Sequence, residues 1–311
     1  MDPLLPEDQE HYKVTLEDLK PHIVVDEPAE LFTNFFDLNT WNGKITTVSE
    51  SYVFYTFPTM LGSVFTMRSL RNGLKLLNSF TFMLIVAQIV MFFIVYSESR
   101  NPFPGLKTDT SVLHRYGASS YHDIFEEAQY YRLISPILLH GDLFHLLVNV
   151  VFEWKFLMNR EAGYGIIKYI VIVVLSSATG TLYSSEFSRM AYSVGASCAI
   201  NGVIGSYLVL NFILAPMISR KRLYFIVFIF IVIVLWLALT PADSGIDKYG
   251  HIGGFAMGCA LAPLLFVNRA ESACSKAAFC VFSLIALPSC ILVPFITTKN
   301  PSANTLEYII Q

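Results

Sequence analysis

Long apolar runs recur along this chain and constrain its fold more than any other feature. Seven of them are close to the ~20 residues that an α-helix needs to cross the hydrocarbon core of a membrane. They lie at 78–97, 143–159, 166–185, 197–216, 222–240, 250–268 and 277–297. Because 54% of the residues are hydrophobic and only 14% are charged, the composition also lies outside the range of soluble domains. The sequence therefore predicts an all-α, polytopic membrane helical bundle.

The apolar runs divide the chain into three regions. Residues 1–76 are acidic and interrupted by prolines, which predicts a partly disordered head. Residues 77–297 form the transmembrane domain, with seven spans and a long first outer loop at about 98–142, and residues 298–311 form a short outer-side tail. Ten basic residues that flank the spans fall on one side of the predicted bundle: Arg68, Arg71, Lys75, Arg160, Lys168, Arg220, Lys221, Arg222, Arg269 and Lys276. Because cytoplasmic loops are enriched in Lys and Arg, we expect a cytoplasmic N-terminus.

Several classes of function are disfavoured by composition. The formal net charge is -3, and no basic run with interleaved aromatic residues appears, so we expect no nucleic-acid partner. No metal-ligand cluster, phosphate loop or dinucleotide fingerprint appears either, so we expect no metal and no cofactor. The N-terminus has no signal-peptide pattern, which leaves targeting to the first span, and the five cysteines fall in or beside apolar segments as packing residues.

Polar residues stand near one end of the second and fourth runs. His145 and Asn149 are four residues apart, so on a helix they project from the same face. Ser197 follows Gly195 and Ala196 and begins an apolar run, which places it at a helix N-terminus, where backbone N–H groups are unpaired. Polar groups at membrane depth are costly, so a functional role is indicated for these positions.

The sixth run carries a histidine above a glycine face. His251, Gly254 and Gly258 follow each other at helical spacing and share one side of the predicted helix. Gly202 and Gly205 lie on the fourth run, and small residues of this kind allow two helices to approach closely in a membrane. The sequence therefore predicts close packing of the fourth span against the sixth.

Together these residues are typical of a nucleophilic site. A serine hydroxyl needs a base, and an imidazole is the usual base near neutral pH, so Ser197 and His251 would form a catalytic dyad. The tetrahedral intermediate needs hydrogen-bond donors for its oxyanion. The Asn149 amide, a His145 N–H and the backbone at Ala196 and Ser197 are the candidates.

The order and spacing of these residues resemble the rhomboid family of intramembrane serine proteases. The resemblance covers about 125–268, and it implies a rhomboid-like six-helix core with one extra C-terminal span, the six-plus-one layout of eukaryotic secretory-pathway members. It also implies that the serine is the nucleophile, that the histidine of the sixth span is the base, and that the polar residues of the second span line the oxyanion pocket. The matching residues are His140, His145, Asn149, Gly195, Ser197, His251, Gly254 and Gly258.

Other matches to the family pattern are structural. Tyr131 and Arg132 stand where the family usually has Trp-Arg, with Gln129 before them, and we interpret the pair as an interfacial anchor at headgroup level. Glu161 and Gly165 match a structural Glu-x-x-x-Gly after the second span. For Tyr131 and Arg132 a structural role is favoured over a catalytic one, which stays the alternative.

The chain departs from the family pattern beside the nucleophile. Cys198 replaces the glycine that commonly follows the serine. Asn201 replaces an aromatic residue that usually packs against the catalytic histidine, so we expect the orientation of His251 to depend on an amide hydrogen bond.

Four more residues near the site are interpreted as structural. We expect His140 to be a loop hydrogen-bonding residue and Trp236 to face lipid or core. Asp243 and Asp247 precede the sixth run and are expected in the outer loop, which leaves a dyad rather than a triad.

Three hypotheses follow for function. The leading one is a serine-type endopeptidase that cleaves single-pass membrane proteins in or near their transmembrane helix. Its other expected partner is membrane lipid, and the sequence does not determine an oligomeric state. The alternative is a catalytically weak or inactive rhomboid-like protein that binds membrane clients in quality control or trafficking. A seven-span receptor or transporter is disfavoured by the charge distribution and by the lack of a convincing repeat. A secretory-pathway or plasma-membrane location is favoured over the mitochondrion.

Overall fold

A computed structural model of the chain describes residues 79–99, 106–188, 192–218, 220–241 and 246–297. The predicted acidic head and the C-terminal tail lie outside the described residues. The described residues form helices and loops, with two isolated β-bridges and no β-strand among them. The predicted all-α fold class is therefore confirmed.

Helices occupy all seven positions at which the sequence predicts spans. The α-helices in chain order are α1 (Phe80–Glu98), α2 (Thr110–Arg115), α3 (Leu143–Phe152), α4 (Met158–Tyr164), α5 (Ile166–Phe187), α6 (Ser197–Ile213), α7 (Arg220–Leu239), α8 (Lys248–Phe266) and α9 (Ala273–Thr297). Short π-helical turns lie at His122–Glu126 and Glu153–Leu157, and 3-10 turns lie at Tyr130–Leu133, Ser135–Leu138, Ala215–Met217 and Val267–Arg269. The second predicted span is thus three helical pieces, α3, a π-helical turn and α4.

Four helices are long and apolar enough to cross a membrane, judged over the described residues by length and composition. They are α1, α5, α8 with the 3-10 turn that follows it, and α9. Two further apolar helices, α6 and the part of α7 from residue 223, are shorter. These helices make the chain an integral membrane protein, while seven crossings and a cytoplasmic N-terminus stay predictions.

Helix α6 lies at the centre of the bundle and packs against both α5 and α8. Most of its residues are buried, including polar ones such as Ser206 and Asn211. Most of its buried apolar side chains belong to one core cluster together with residues from the π-helical turn Glu153–Leu157, α5, α8 and α9. The N-terminus of α6 is therefore positioned by several neighbouring helices at once.

Glycines allow α6 and α8 to touch through their backbones. A Cβ added to Gly258 would lie 1.8 Å from the carbonyl oxygen of Gly202, and one added to Gly205 would lie 2.4 Å from that of Phe255. A Cβ on Gly202 itself would lie 2.0 Å from the Ser176 hydroxyl oxygen of α5. Since no side chain fits at such distances, the three-helix contact requires glycine at these positions.

Buried carboxylates hold α1 against the rest of the bundle. Glu161 accepts hydrogen bonds from the backbone N–H groups of Phe80 and Thr81 at 2.7 and 2.9 Å and so satisfies the N-terminus of α1. Further along α1, Gln88 Nε2 donates to Glu153 Oε1 at 2.8 Å. Glu161 therefore has a structural role at the base of the bundle, away from the serine.

The loop between α1 and α3 is organised around Arg132, which is only 4% exposed. Its guanidinium donates to the carbonyl oxygens of His114 and Ala118 at 2.7 and 2.8 Å and to Gln129 Oε1 at 2.7 Å. Tyr131 beside it is 57% exposed. The interpretation of Arg132 as an anchor at headgroup level is wrong, because its charge is used to close the loop.

Candidate active site

Ser197 is the first residue of α6 and follows a turn that requires glycine. Gly195 has φ +123°, a conformation that other residues rarely adopt, and its N–H donates to the Pro136 carbonyl oxygen at 2.9 Å. Ala196 and Cys198 are buried, whereas Ser197 is partly exposed. The serine therefore stands at the accessible end of a helix whose first N–H groups have no intrahelical partner.

The polar pair of α3 packs against this turn. A Cβ added to Gly195 would lie 2.8 Å from both Cε1 and Nε2 of His145, and 3.8 Å from Asn149 Nδ2. Asp142 caps α3 by accepting from the His145 backbone N–H at 2.8 Å, and Asn149 Nδ2 donates to the His145 carbonyl oxygen at 3.0 Å. The structure thus brings the predicted oxyanion donors to the residues that precede Ser197.

His251 comes from α8, which contacts the residue after the serine. A Cβ added to Gly254, one turn from His251, would lie 2.2 Å from the Cys198 carbonyl oxygen. His251 is 8% exposed, and its Nδ1 atom has no hydrogen-bond partner among the described residues. Within that part of the chain, no hydrogen bond joins Ser197 Oγ to the His251 ring. The two helices are brought together, but the bond of the predicted dyad is not formed.

Trp236 of α7 stacks on the candidate base. The ring centroids of Trp236 and His251 are 5.7 Å apart, and the ring planes differ by 21°. Asn201, which we expected to orient His251, instead donates from Nδ2 to the Ser197 carbonyl oxygen at 2.9 Å. The expected amide hydrogen bond to His251 is therefore wrong, and an aromatic ring from another helix contacts the imidazole.

Asp247 lies before α8, as expected, but sequence reasoning missed its contacts. Its Oδ1 accepts from the Gly250 N–H at 2.9 Å and so caps α8. Its Oδ2 accepts from the Ser193 hydroxyl at 2.5 Å. An aspartate directly before a helical run is a capping signal, so the contact with Gly250 could have been predicted. No local pattern indicates the contact with Ser193. Asp247 therefore ties the helix of His251 to the segment that leads into Ser197.

We expect Asp247→Ala to lower the melting temperature by a few degrees, because loss of an N-cap costs about 1 kcal/mol. Ser193→Ala removes the hydrogen bond to Asp247 and keeps the cap, so its melting temperature should fall by less. Thermal unfolding of the detergent-solubilised protein measures both. An equal fall in the two variants would show that the cap contributes nothing.

His140 supports His145 by packing rather than by hydrogen bonds of its side chain. Its ring is 1% exposed and meets the His145 ring edge to face, with centroids 5.1 Å apart. Neither ring nitrogen has a hydrogen-bond partner among the described residues, so the expected hydrogen-bonding role of this side chain is wrong. Burial, with a smaller effect of the nearby His145, lowers the pKa of His140 to about 3. The residue is therefore neutral at physiological pH.

Cys198 fits beside the nucleophile because two helices carry glycine opposite it. Its Sγ lies 2.9 Å from the Cβ positions of Gly180 on α5 and Gly250 on α8. The bulk that replaces the usual glycine is thus accommodated by the neighbours.

In the described part of the chain, no group of three or more His, Cys, Asp or Glu residues is arranged to hold a metal ion.

These features define the class of the protein as a polytopic helical membrane protein with a serine, two histidines and an asparagine gathered around one end of a central helix. Residues 127–268 match the family model of the Rhomboid domain. This stretch of the chain therefore belongs to the rhomboid family.

Relatives in other organisms are similar over this region. Rhomboid-like protease 3 of Toxoplasma gondii is 34% identical over 179 residues, which cover 57% of this chain and 65% of that relative. Rhomboid protease GluP of Bacillus subtilis (strain 168) is 31% identical over 212 residues, which cover 67% of this chain and 39% of that relative. The chain thus matches less than two thirds of the length of either relative.

Proposed function

We propose that this protein is an intramembrane serine endopeptidase in which Ser197 is the nucleophile and His251 is the base. The observation that carries the proposal is the position of Ser197. It begins the central helix, its preceding turn contacts His145 and Asn149, and the residue after it contacts α8 one turn from His251. Membership of a family with relatives named as proteases supports the same conclusion.

In the proposed reaction, Ser197 Oγ attacks the carbonyl carbon of the scissile peptide while His251 takes the hydroxyl proton. The carbonyl oxygen becomes an oxyanion and accepts hydrogen bonds from His145, Asn149 and the backbone N–H groups at Ala196 and Ser197. Asn149 uses one amide hydrogen for the His145 carbonyl oxygen, so its second hydrogen can serve the oxyanion. His251 then gives the proton to the leaving amine, and water hydrolyses the acyl-enzyme.

The length of helix α6 favours a substrate inside the membrane. Helix α6 has 17 residues, and at a rise of about 1.5 Å per residue it spans about 26 Å. Since the hydrocarbon core is about 30 Å thick, a helix of this length does not reach both of its faces. At least one end of α6 would then lie below the membrane surface, and we propose that it is the end that carries Ser197.

A transmembrane helix of the substrate must unwind before it is cut, because its carbonyl groups are engaged in helical hydrogen bonds. We propose that the substrates are single-pass membrane proteins with Gly, Pro or polar residues near the cleaved bond, which weaken the helix there. The cut would release a domain on the outer side, if the N-terminus is cytoplasmic as the distribution of Lys and Arg predicts.

The direct test uses the purified full chain in detergent with a model single-span substrate. We expect the wild type to cleave it and Ser197→Ala to be inactive, because no other hydroxyl stands at the start of α6. Ser289→Ala is the matched control, since this exposed serine of α9 bonds only within its own helix at 2.8 Å. Cleavage that survives Ser197→Ala would refute the proposal.

The second candidate function is a rhomboid-like protein that binds membrane clients without cleaving them. The missing hydrogen bond between Ser197 and His251 favours it, although such contacts often tighten only in the substrate complex. A serine-directed fluorophosphonate separates the two candidates. The protease should be labelled at Ser197, whereas a client-binding protein should stay unlabelled and retain an intact substrate.

We propose a location in the secretory pathway or plasma membrane, and the extra C-terminal helix α9 supports this proposal because the six-plus-one layout is that of secretory members. The family is not confined to these membranes. RHOMBOID-like protein 6 of Arabidopsis thaliana, named as mitochondrial, is 28% identical over 59% of this chain and 58% of that relative.

A further inference from the structure

The imidazole of His251 is contacted by an aromatic ring from a different helix. Trp236 lies near the end of α7, and its indole is nearly parallel to the imidazole at a centroid distance of 5.7 Å. Trp236 is 45% exposed, whereas His251 is 8% exposed. The indole therefore lies between the candidate base and the outside of the bundle.

The polar groups near His251 are used elsewhere. Both carboxylate oxygens of Asp247 accept hydrogen bonds, from Gly250 and Ser193. The Asn201 amide donates to the Ser197 carbonyl oxygen. Since His251 Nδ1 has no partner among the described residues, no hydrogen bond at that atom fixes the orientation of the ring.

From this arrangement we infer that Trp236 is a positioning residue for His251, an inference that rests on the proposed function. Stacking on the indole holds the plane of the imidazole, as a hydrogen bond at Nδ1 does in many serine hydrolases. The indole face also attracts the imidazolium that forms when His251 takes the proton from Ser197. Trp236 thus acts on the reaction through the base and does not touch the reacting atoms.

The first test compares Trp236→Leu with Trp236→Phe. We expect Trp236→Leu to lower kcat about tenfold with little change in KM, because an aliphatic side chain fills the space but neither aligns nor attracts the imidazole. The rate of fluorophosphonate labelling should fall by the same factor. Trp236→Phe should recover most of both rates, since it restores an aromatic face.

Leu235→Ala is the matched control for this test. Leu235 lies on the same helix and is 51% exposed, so Leu235→Ala changes the neighbouring side chain of α7 while Trp236 stays in place. Its kcat and its labelling rate should equal those of the wild type. If the wild type is active and Trp236→Leu has the same activity, the inference is overturned.

A second test detects the stacking of Trp236 on His251 by fluorescence and does not depend on enzyme activity. In a Trp41→Phe, Trp154→Phe and Ser197→Ala background, Trp236 is the remaining tryptophan of the chain. Protonated imidazole quenches indole emission on contact, so fluorescence should change with pH, and His251→Ala should abolish that change. Asp247 and His145 are the titratable groups whose charges act on His251, and both stay in place in this comparison.

The two tests separate failure of the inference from failure of the proposed function. A wild type without labelling or cleavage at Ser197 refutes the protease proposal, whatever the fluorescence shows. Emission that does not depend on His251 refutes the stack and with it the positioning role, whatever the wild-type activity is.

Discussion

Ser197→Ala, His251→Ala and the double variant are expected to show the same residual activity, each about 10⁴-fold or more below the wild type. A base has nothing to activate once the hydroxyl is gone, and a hydroxyl without its base stays a poor nucleophile. Residues that act as one unit therefore give strongly non-additive losses. The measurement is kcat/KM for a transmembrane substrate, taken for the wild type and the three variants under one set of conditions.

The control for this prediction is the melting temperature, because His251 is buried and stacks on Trp236, so its removal can also destabilise the fold. The activities are therefore compared at a temperature at which the wild type and all three variants stay folded. Losses that multiply in the double variant would contradict the dyad. In that case Ser197 and His251 contribute independently, and the missing hydrogen bond in the structure reflects separate roles.

The helical skeleton could be predicted from the sequence because a membrane allows few alternatives. A backbone without water must satisfy its hydrogen bonds internally, so a long apolar run becomes a helix. The run beginning at 143 shows the limit of this rule, because its helix is broken by the π-helical turn Glu153–Leu157. There Glu153 accepts from Gln88 of α1, a contact between distant parts of the chain that no local pattern indicates.

The candidate site was predictable where helical spacing fixes a face. His145 and Asn149 share a side of α3, and Gly254 lies one turn from His251, as the spacing indicates. Contacts between helices were not predictable in the same way. No spacing in the sequence indicates that Trp236 contacts His251. Arg132 was misinterpreted because its backbone acceptors at 114 and 118 become its neighbours only in the folded loop.

Gly258→Ala is expected to damage both stability and activity. The added methyl group would lie 1.8 Å from the Gly202 carbonyl oxygen and 2.6 Å from its carbonyl carbon. These are backbone atoms of a buried helix, so they cannot rotate away as a side chain can. Overpacking of a core costs about 1–3 kcal/mol when side chains adjust, and we expect a value at the upper end or beyond. The melting temperature should fall by about 10 °C.

Activity should fall further than stability alone explains, because α8 carries His251 and α6 carries Ser197. Pushing the helices apart by about 1 Å can cost about 10²-fold in rate. Gly141→Ala is the matched control, since a Cβ at Gly141 meets nothing within 4 Å and its φ is not positive. Thermal unfolding and cleavage at a temperature where both variants stay folded measure the two effects. Wild-type values for Gly258→Ala would mean that α6 and α8 do not touch at this glycine, and the geometry that brings His251 towards Ser197 would have to be abandoned.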